Sequence, residues 1–270
     1  MFSKKKPFKM KETVLITGAT SGIGREMARM LAAQKFNLIL VARNGEKLAV
    51  QKKEFENSFG IQVTIFALDL SVQDNAYLLF EKVRNADIAV DMLVNNAGIG
   101  NYGAFTETSL EQELMMIDLN ISAVVILTKL FGREMAKRRS GKIMNVASLL
   151  SFLPFPYYSV YSATKSFVLA FTETVAAEME KSGVTVTALC PGPVDTPFQT
   201  KEMLETNAYK ANKPVSAAYV AKKGVALLLE GKGKKIPGFN NWFISNLPRI
   251  TPDYIMMNIK KKLASPKSKS

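Results

Sequence analysis

The sequence predicts an α/β fold, a doubly wound parallel sheet of about seven strands with helices on both faces. Three observations carry this prediction. Short apolar, β-branched runs alternate with longer segments rich in helix formers, the pattern of repeated βα units with right-handed crossovers. The first such run passes straight into a glycine-rich turn and then a helix. The chain has 270 residues and 47% hydrophobic content, enough for one large core and ordinary for a globular domain.

In chain order, the expected strands are Val14–Thr17, Asn37–Ala42, Gln62–Asp69, Asp91–Asn95, Lys142–Ala147 and Thr185–Cys190. Helices are expected near residues 23–35, 45–58, 73–86, 109–138, 158–181 and 216–230. Residues 196–215 lack a clear period and end near Pro214, so they read as an irregular insert. The chain thus divides into a basic tail over 1–11, a single domain over 12–235 and a C-terminal extension over 236–270.

Two constellations bear chemistry. Gly18-Ala19-Thr20-Ser21-Gly22-Ile23-Gly24 lies between the first strand and the first helix. Glycines let a backbone approach a pyrophosphate, and a helix N-terminus offers N–H groups and a favourable dipole, so this turn reads as a phosphate cradle. Tyr161 and Lys165 stand four residues apart and share one face of a helix, with Ser148 thirteen residues before the tyrosine. An ammonium beside a phenol favours the phenolate and is expected to lower the tyrosine pKa. A serine hydroxyl close by can hold a carbonyl oxygen. Together these groups make a proton donor aimed at a C=O, or a base aimed at an alcohol.

On these residues the chain resembles the short-chain dehydrogenase/reductase family, whose fold is of the Rossmann type. Thr17 to Gly24 matches its TGxxxGxG motif, and Asn95-Asn96-Ala97-Gly98 matches its NNAG motif. Ser148, Tyr161 and Lys165 match its catalytic serine and YxxxK pair, and Asn120 stands at its fourth catalytic position. Pro191-Gly192-Pro193-Val194-Asp195-Thr196 looks like its PG segment on the nicotinamide side. The resemblance spans roughly residues 12–235. It implies a cofactor site formed by Gly18, Thr20, Ser21, Gly22, Ile23, Gly24, Arg43, Asp69, Leu70, Asn96, Ala97, Gly98, Tyr161, Lys165, Pro191, Gly192, Val194 and Thr196. It also implies that Lys165 binds the nicotinamide ribose, that Asn120 holds a proton-relaying water, that Asp69 ends the third strand near the adenine, and that 196–215 is a mobile lid.

A dinucleotide without a 2′-phosphate calls for an acidic residue after the second strand. Arg43-Asn44 stands there instead, and a guanidinium suits a 2′-phosphate, so the expected cofactor is NADP(H). The expected activity is hydride transfer between the nicotinamide and a carbonyl or secondary alcohol. Leu149, Leu150, Phe152, Leu153, Phe155, Tyr157, Tyr158 and Phe198 suggest an apolar pocket and a hydrophobic substrate. A 3-oxoacyl thioester reductase is the alternative within the family, and a non-catalytic dinucleotide sensor the alternative outside catalysis.

The composition excludes several other chemistries. With no histidine, a Ser-His-Asp triad and a histidine-ligated metal are ruled out, and no metal site is expected. Cys190 is the only cysteine and reads as a buried thiol in a reducing, cytoplasmic setting. The N-terminus lacks a secretory h-region, and no run of about 18 apolar residues suggests a membrane span. The net charge is +13, and ten of the excess lysines lie in the first and last eleven residues, which leaves 13 − 10 = +3 for the body. These ends read as solvated tails suited to a weak contact with an anionic membrane surface, and nothing points to nucleic acid. The apolar stretches Gly238–Ile244 and Ile255–Met257 have three roles open to them: capping the pocket, pairing subunits or lying on a membrane. A homodimer or homotetramer is expected.

Overall fold

A computed structural model describes residues 11–265. Its centre is a seven-stranded parallel sheet in the order β3-β2-β1-β4-β5-β6-β9. The strands are β1 (Thr13–Thr17), β2 (Asn37–Ala42), β3 (Val63–Ala67), β4 (Met92–Asn95), β5 (Gly141–Val146), β6 (Val184–Leu189) and β9 (Lys234–Lys235). Side chains alternate across each strand, so both faces must be covered. Val14, Ile16, Leu38, Leu40, Met144 and Val146 enter one core, with α1 (Gly22–Ala33), α2 (Gly45–Phe59) and α9 (Ala217–Glu230). Leu15, Ile39, Val41, Leu93 and Ile143 enter the other, with α3 (Gln73–Asn85), α5 (Ala123–Lys137) and α6 (Ser159–Met179).

The expected strands and helices are present with ends shifted by a residue or two, but several readings need correction. The seventh strand is only Lys234–Lys235, and two exposed lysines carry no strand signal. β3 ends at Ala67, so Asp69 lies in the following turn, where its carboxylate accepts from Ser71 N and Oγ at 3.0 and 2.7 Å. The helix expected over 109–138 is α4 (Leu110–Ile117), a π-helical turn over Asp118–Ser122, then α5. Within the combined stretch Leu110–Lys137, 28 residues long, an 18-residue segment reaches a mean hydropathy of 1.8, enough by length and composition alone to cross a membrane. In this fold it is a core helix, because α5 buries Leu127, Phe131 and Met135 against the sheet.

The insert contains α7 (Lys201–Leu204) and α8 (Asn207–Ala211), capped by the side chains of Thr200 and Thr206. Its base is tied by β7 (Val194–Asp195) pairing with β8 (Val215–Ser216). The extension is not a loose tail. It folds into α10 (Phe239–Asn246) and α11 (Asp253–Ala264). Ala264, within the end read from the sequence as a solvated tail, is fully buried, and its carbonyl accepts from Tyr102 Oη at 2.6 Å. Lys260, counted from the sequence among the solvated tail lysines, is also buried. The N-terminal tail lies outside the described residues except for Lys11, whose Nζ donates to Gly60 O at 3.0 Å.

Candidate active site

The β1–α1 turn needs its glycines for two reasons. Gly18 and Gly22 have φ of +64° and +53°, which L side chains rarely adopt. At Gly24 the constraint is space, since a Cβ would lie 2.4 Å from Asn96 Nδ2 and from Gly18 O. Hydrogen bonds then fix the turn to the end of β4. Thr17 Oγ1 accepts from Asn96 N and Ala97 N, both at 3.0 Å, and Asn96 Nδ2 donates to the carbonyls of Thr17 and Gly18 at 2.9 and 3.2 Å. Ser21 caps α1 without a side-chain hydrogen bond, and the first turn holds no acidic residue, so no side-chain charge offsets the positive end of the helix.

That turn lines one end of a continuous cavity of about 820 Å³. Of the residues singled out from the sequence, Gly18, Thr20, Ser21, Gly22, Ile23, Arg43, Asp69, Leu70, Asn96, Ala97, Gly98, Ser148, Tyr161, Lys165, Pro191, Gly192, Val194 and Thr196 are all on its wall. Gly24 and Asn120 stand behind the wall. Asn44 Oδ1 accepts from Lys47 N at 2.8 Å and so starts α2 beside Arg43. Lys47 itself joins Arg43 on the wall, a second cation that the sequence reading missed.

Ser148, Tyr161 and Lys165 meet on the cavity wall beside Phe198. The rings of Phe198 and Tyr161 are 5.6 Å apart, and a Cβ on Gly100 would lie 2.8 Å from Phe198 and 3.1 Å from Tyr161. Burial pushes the Tyr161 phenol up to about 12, opposed by a hydrogen bond with Ser148. Burial pulls the Lys165 ammonium down to about 8, and its Nζ donates to Val146 O at 2.9 Å. The expectation that Lys165 lowers the tyrosine pKa is therefore not met here. Nζ stands 5.9 Å from the Tyr161 ring centroid, and loss of water is the largest influence on the phenol.

Asn120 is fully buried in the π-helical turn. Its Oδ1 accepts from Ile99 N at 3.1 Å, and its Nδ2 donates to Ile99 O at 2.9 Å and to Thr164 Oγ1 at 3.1 Å. The side-chain amide is thus committed to clamping the segment after Gly98 onto α6, so its Nδ2 has no proton left to offer a relay water. π-turns inside α-helices often mark functional sites, since the extra residue redirects one side chain. Below it, Asn95 Nδ2 donates to Asn145 Oδ1 at 2.8 Å and to Thr128 Oγ1 at 3.0 Å, a buried network that braces the sheet under the site.

The substrate end is apolar. Leu149, Leu150, Leu153, Phe155, Tyr158 and Phe198 line it as expected, while Phe152 and Tyr157 do not. Phe152 packs in the core, and Tyr157 stacks near Tyr102 at 5.5 Å between ring centroids. The sequence reading did not resolve the contribution of the C-terminal helices, which supply Ile244, Leu247, Met256, Ile259, Lys260 and Leu263. Their apolar pattern was visible, but its distance in sequence from every motif hid where it packs.

The glycine cradle, the positive end of α1 and the paired cations after β2 fit a phosphorylated dinucleotide. Comparison with known proteins agrees. The family model for short chain dehydrogenases matches residues 12–207. An uncharacterized oxidoreductase of Staphylococcus epidermidis is 32% identical over 214 residues, 79% of this chain and 89% of that protein. The very-long-chain 3-oxoacyl-CoA reductase of Macaca fascicularis is 30% identical over 258 residues, 93% of this chain and 80% of that protein. The structure of a short-chain dehydrogenase from Sphingobium yanoikuyae in complex with NADPH superposes with a TM-score of 0.79 at 25% identity, covering 96% of this chain and 100% of that one. The chain belongs to the short-chain dehydrogenases and is an oxidoreductase acting on the CH–OH/C=O pair.

Proposed function

We propose that this protein is an NADP(H)-dependent reductase of hydrophobic carbonyl compounds. One observation carries the reading: a single cavity runs from the cationic, glycine-cradled end, past Ser148, Tyr161 and Lys165, to an apolar end closed by α10 and α11. The cofactor is NADP(H), because Arg43 occupies the position where a ribose-binding acid would stand and Lys47 adds a second cation to the same wall. When bound, it supplies or accepts the hydride. With its pKa near 12, Tyr161 stays protonated at neutral pH and donates from Oη to the carbonyl oxygen. Ser148 Oγ hydrogen-bonds the same oxygen. Lys165 supplies a cation to the ribose beside Gly98, where a Cβ would lie only 3.3 Å from its Nζ. Asn120 is a positioning residue that holds the Ile99 backbone against α6.

The protein assembles as a homodimer or homotetramer. The support is the inverted pattern of α10, which buries Asn241 and Ser245 while exposing Phe239, Trp242 and Phe243. The lone Cys190 is fully buried and fits a reducing, cytoplasmic setting. The test of the activity is a panel of alkyl ketones, cyclic ketones and 3-oxoacyl thioesters followed by NADPH absorbance. Turnover of apolar members is expected, and no turnover of any member would contradict the reading.

A further inference from the structure

Lys260 is out of place for a surface lysine. On α11, Lys261 and Lys262 lie towards the surface, while Lys260 falls on the inner face with Met256 and Ala264 and keeps only 9% of its accessible surface. It is on the wall of the cavity, in the half formed by Ile244, Leu247, Met256 and Leu263. Among the described residues no carboxylate comes within 4.0 Å of its ammonium. The one acid on that wall is Asp69, which belongs to the cofactor end. Burial pulls the Lys260 pKa down, the larger of two opposed influences, and the charge of Asp253 pushes it back up. The helix is held in place, with Tyr102 Oη bound to Ala264 O and Asn207 Nδ2 donating to Lys262 O at 3.2 Å. An unpaired cation at a packed, apolar site is costly unless something in the cavity pairs with it.

We infer that Lys260 is an anion anchor at the far end of the substrate cavity, so that the preferred substrates carry an anionic head, a carboxylate or a phosphate, on an apolar body. This rests on the proposed reading of the cavity as a carbonyl-substrate site. The ketone then lies at Tyr161 while the remote anion pairs with Lys260, and the apolar side chains between them cover the chain. The preference is specific to this charge, because the other cations on the wall, Arg43, Lys47 and Lys165, belong to the cofactor end and the reaction centre.

The test measures binding apart from turnover. The full chain saturated with NADP⁺ is titrated with decanoate, decyl phosphate and 1-decanol by calorimetry. Wild type is expected to bind at least one of the anions about tenfold or more tighter than the alcohol, as a charge-assisted contact gives. Whichever anion is tighter identifies the head group. Lys260→Met and Lys260→Gln are expected to erase the preference, and Lys260→Arg to keep it. Equal binding of all three ligands by wild type would overturn the inference, as would an anion preference that survives in Lys260→Met. As a second arm, 9-oxodecanoate should exceed its methyl ester in kcat/KM by a similar factor. If no carbonyl is turned over while the binding preference stands, the reductase reading fails and the anchor does not.

Discussion

The two ends of the cavity are built from different materials. At the β1–α1 turn the wall is backbone, with glycines at φ of +64° and +53°, carbonyls and amides held by Thr17 and Asn96, and a helix end that no side-chain charge offsets. At the α10–α11 end the wall is side chain, with Ile244 and Leu263 packed over Leu149, Leu153 and Phe155, and Leu247 and Met256 on the same wall. A backbone cradle tolerates almost no change, because a Cβ at Gly24 collides at 2.4 Å. An apolar wall accepts many residues of suitable volume. The difference teaches that the cofactor end is specified residue by residue, while the substrate end is specified only by shape and by its few polar groups.

The strongest way to sharpen this contrast is at Tyr161, where the two ends meet. Tyr161→Phe keeps the ring against Phe198 and removes only the proton donor. It should fold normally and lose about 10²–10⁴-fold in turnover of any accepted carbonyl. Survival within about tenfold would remove Tyr161 from the chemistry.

Ending the chain after Lys235 breaks chiefly the apolar end, although it also removes Asn241, which packs against Gly192 and accepts from Asn212 Nδ2 at 2.7 Å. It uncovers Leu149, Leu153 and Phe155, which are 6%, 4% and 8% exposed in the complete fold. Each is worth about 1.5–3 kcal/mol when fully buried, so partial exposure of the three should lower the melting temperature by roughly 10 °C. Sizing the same protein reports on assembly through α10. A stable protein of unchanged size and melting temperature would show that the extension has no structural role.

Lys165 offers a pH test at the junction. Its folded pKa is about 8 against an ordinary 10.5. Between those values the unfolded chain holds a proton that the folded chain has released, so stability rises with pH across that window. Relative to Lys165→Met, the cofactor-free wild type should gain as pH increases from 8 to 10.5, at up to about 1.4 kcal/mol per pH unit. A flat difference would mean that the ammonium is better solvated than its 5% exposure implies.

The smallest expected change is at the phosphate end. Arg43→Ala should weaken NADPH by about tenfold and leave NADH little changed, while Lys47 retains part of the preference. Equal affinity of wild type for the two cofactors would refute the assignment.

The same contrast explains what the sequence made legible. Gly18, Gly22, Gly24, Asn96, Tyr161 and Lys165 are dictated by backbone geometry or reaction chemistry, so their identities and spacing speak directly. The strands read well because burial on both faces demands unbroken apolar runs such as Asn37–Ala42. β9 did not, since its two residues are both exposed lysines, which join the sheet through backbone bonds and carry no apolar pattern. The clamp made by Asn120 was hidden because a π-turn leaves no mark in hydrophobic spacing. Lys260 was misread because three consecutive lysines near a chain end look solvated, and only the docking of α11 turns one of them inward.

The central claim, that one cavity has a cofactor end and a separate substrate end, is tested most directly by measuring two constants in three proteins. These are the Kd for NADPH and the KM for a long-chain ketone, in wild type, Arg43→Ala and the double variant Ile244→Ala/Leu263→Ala. The account predicts that Arg43→Ala raises only the NADPH constant, and that the double variant raises only the ketone constant, each by about tenfold. If both constants rise together in both variants, the two ends are not separate and the account is wrong.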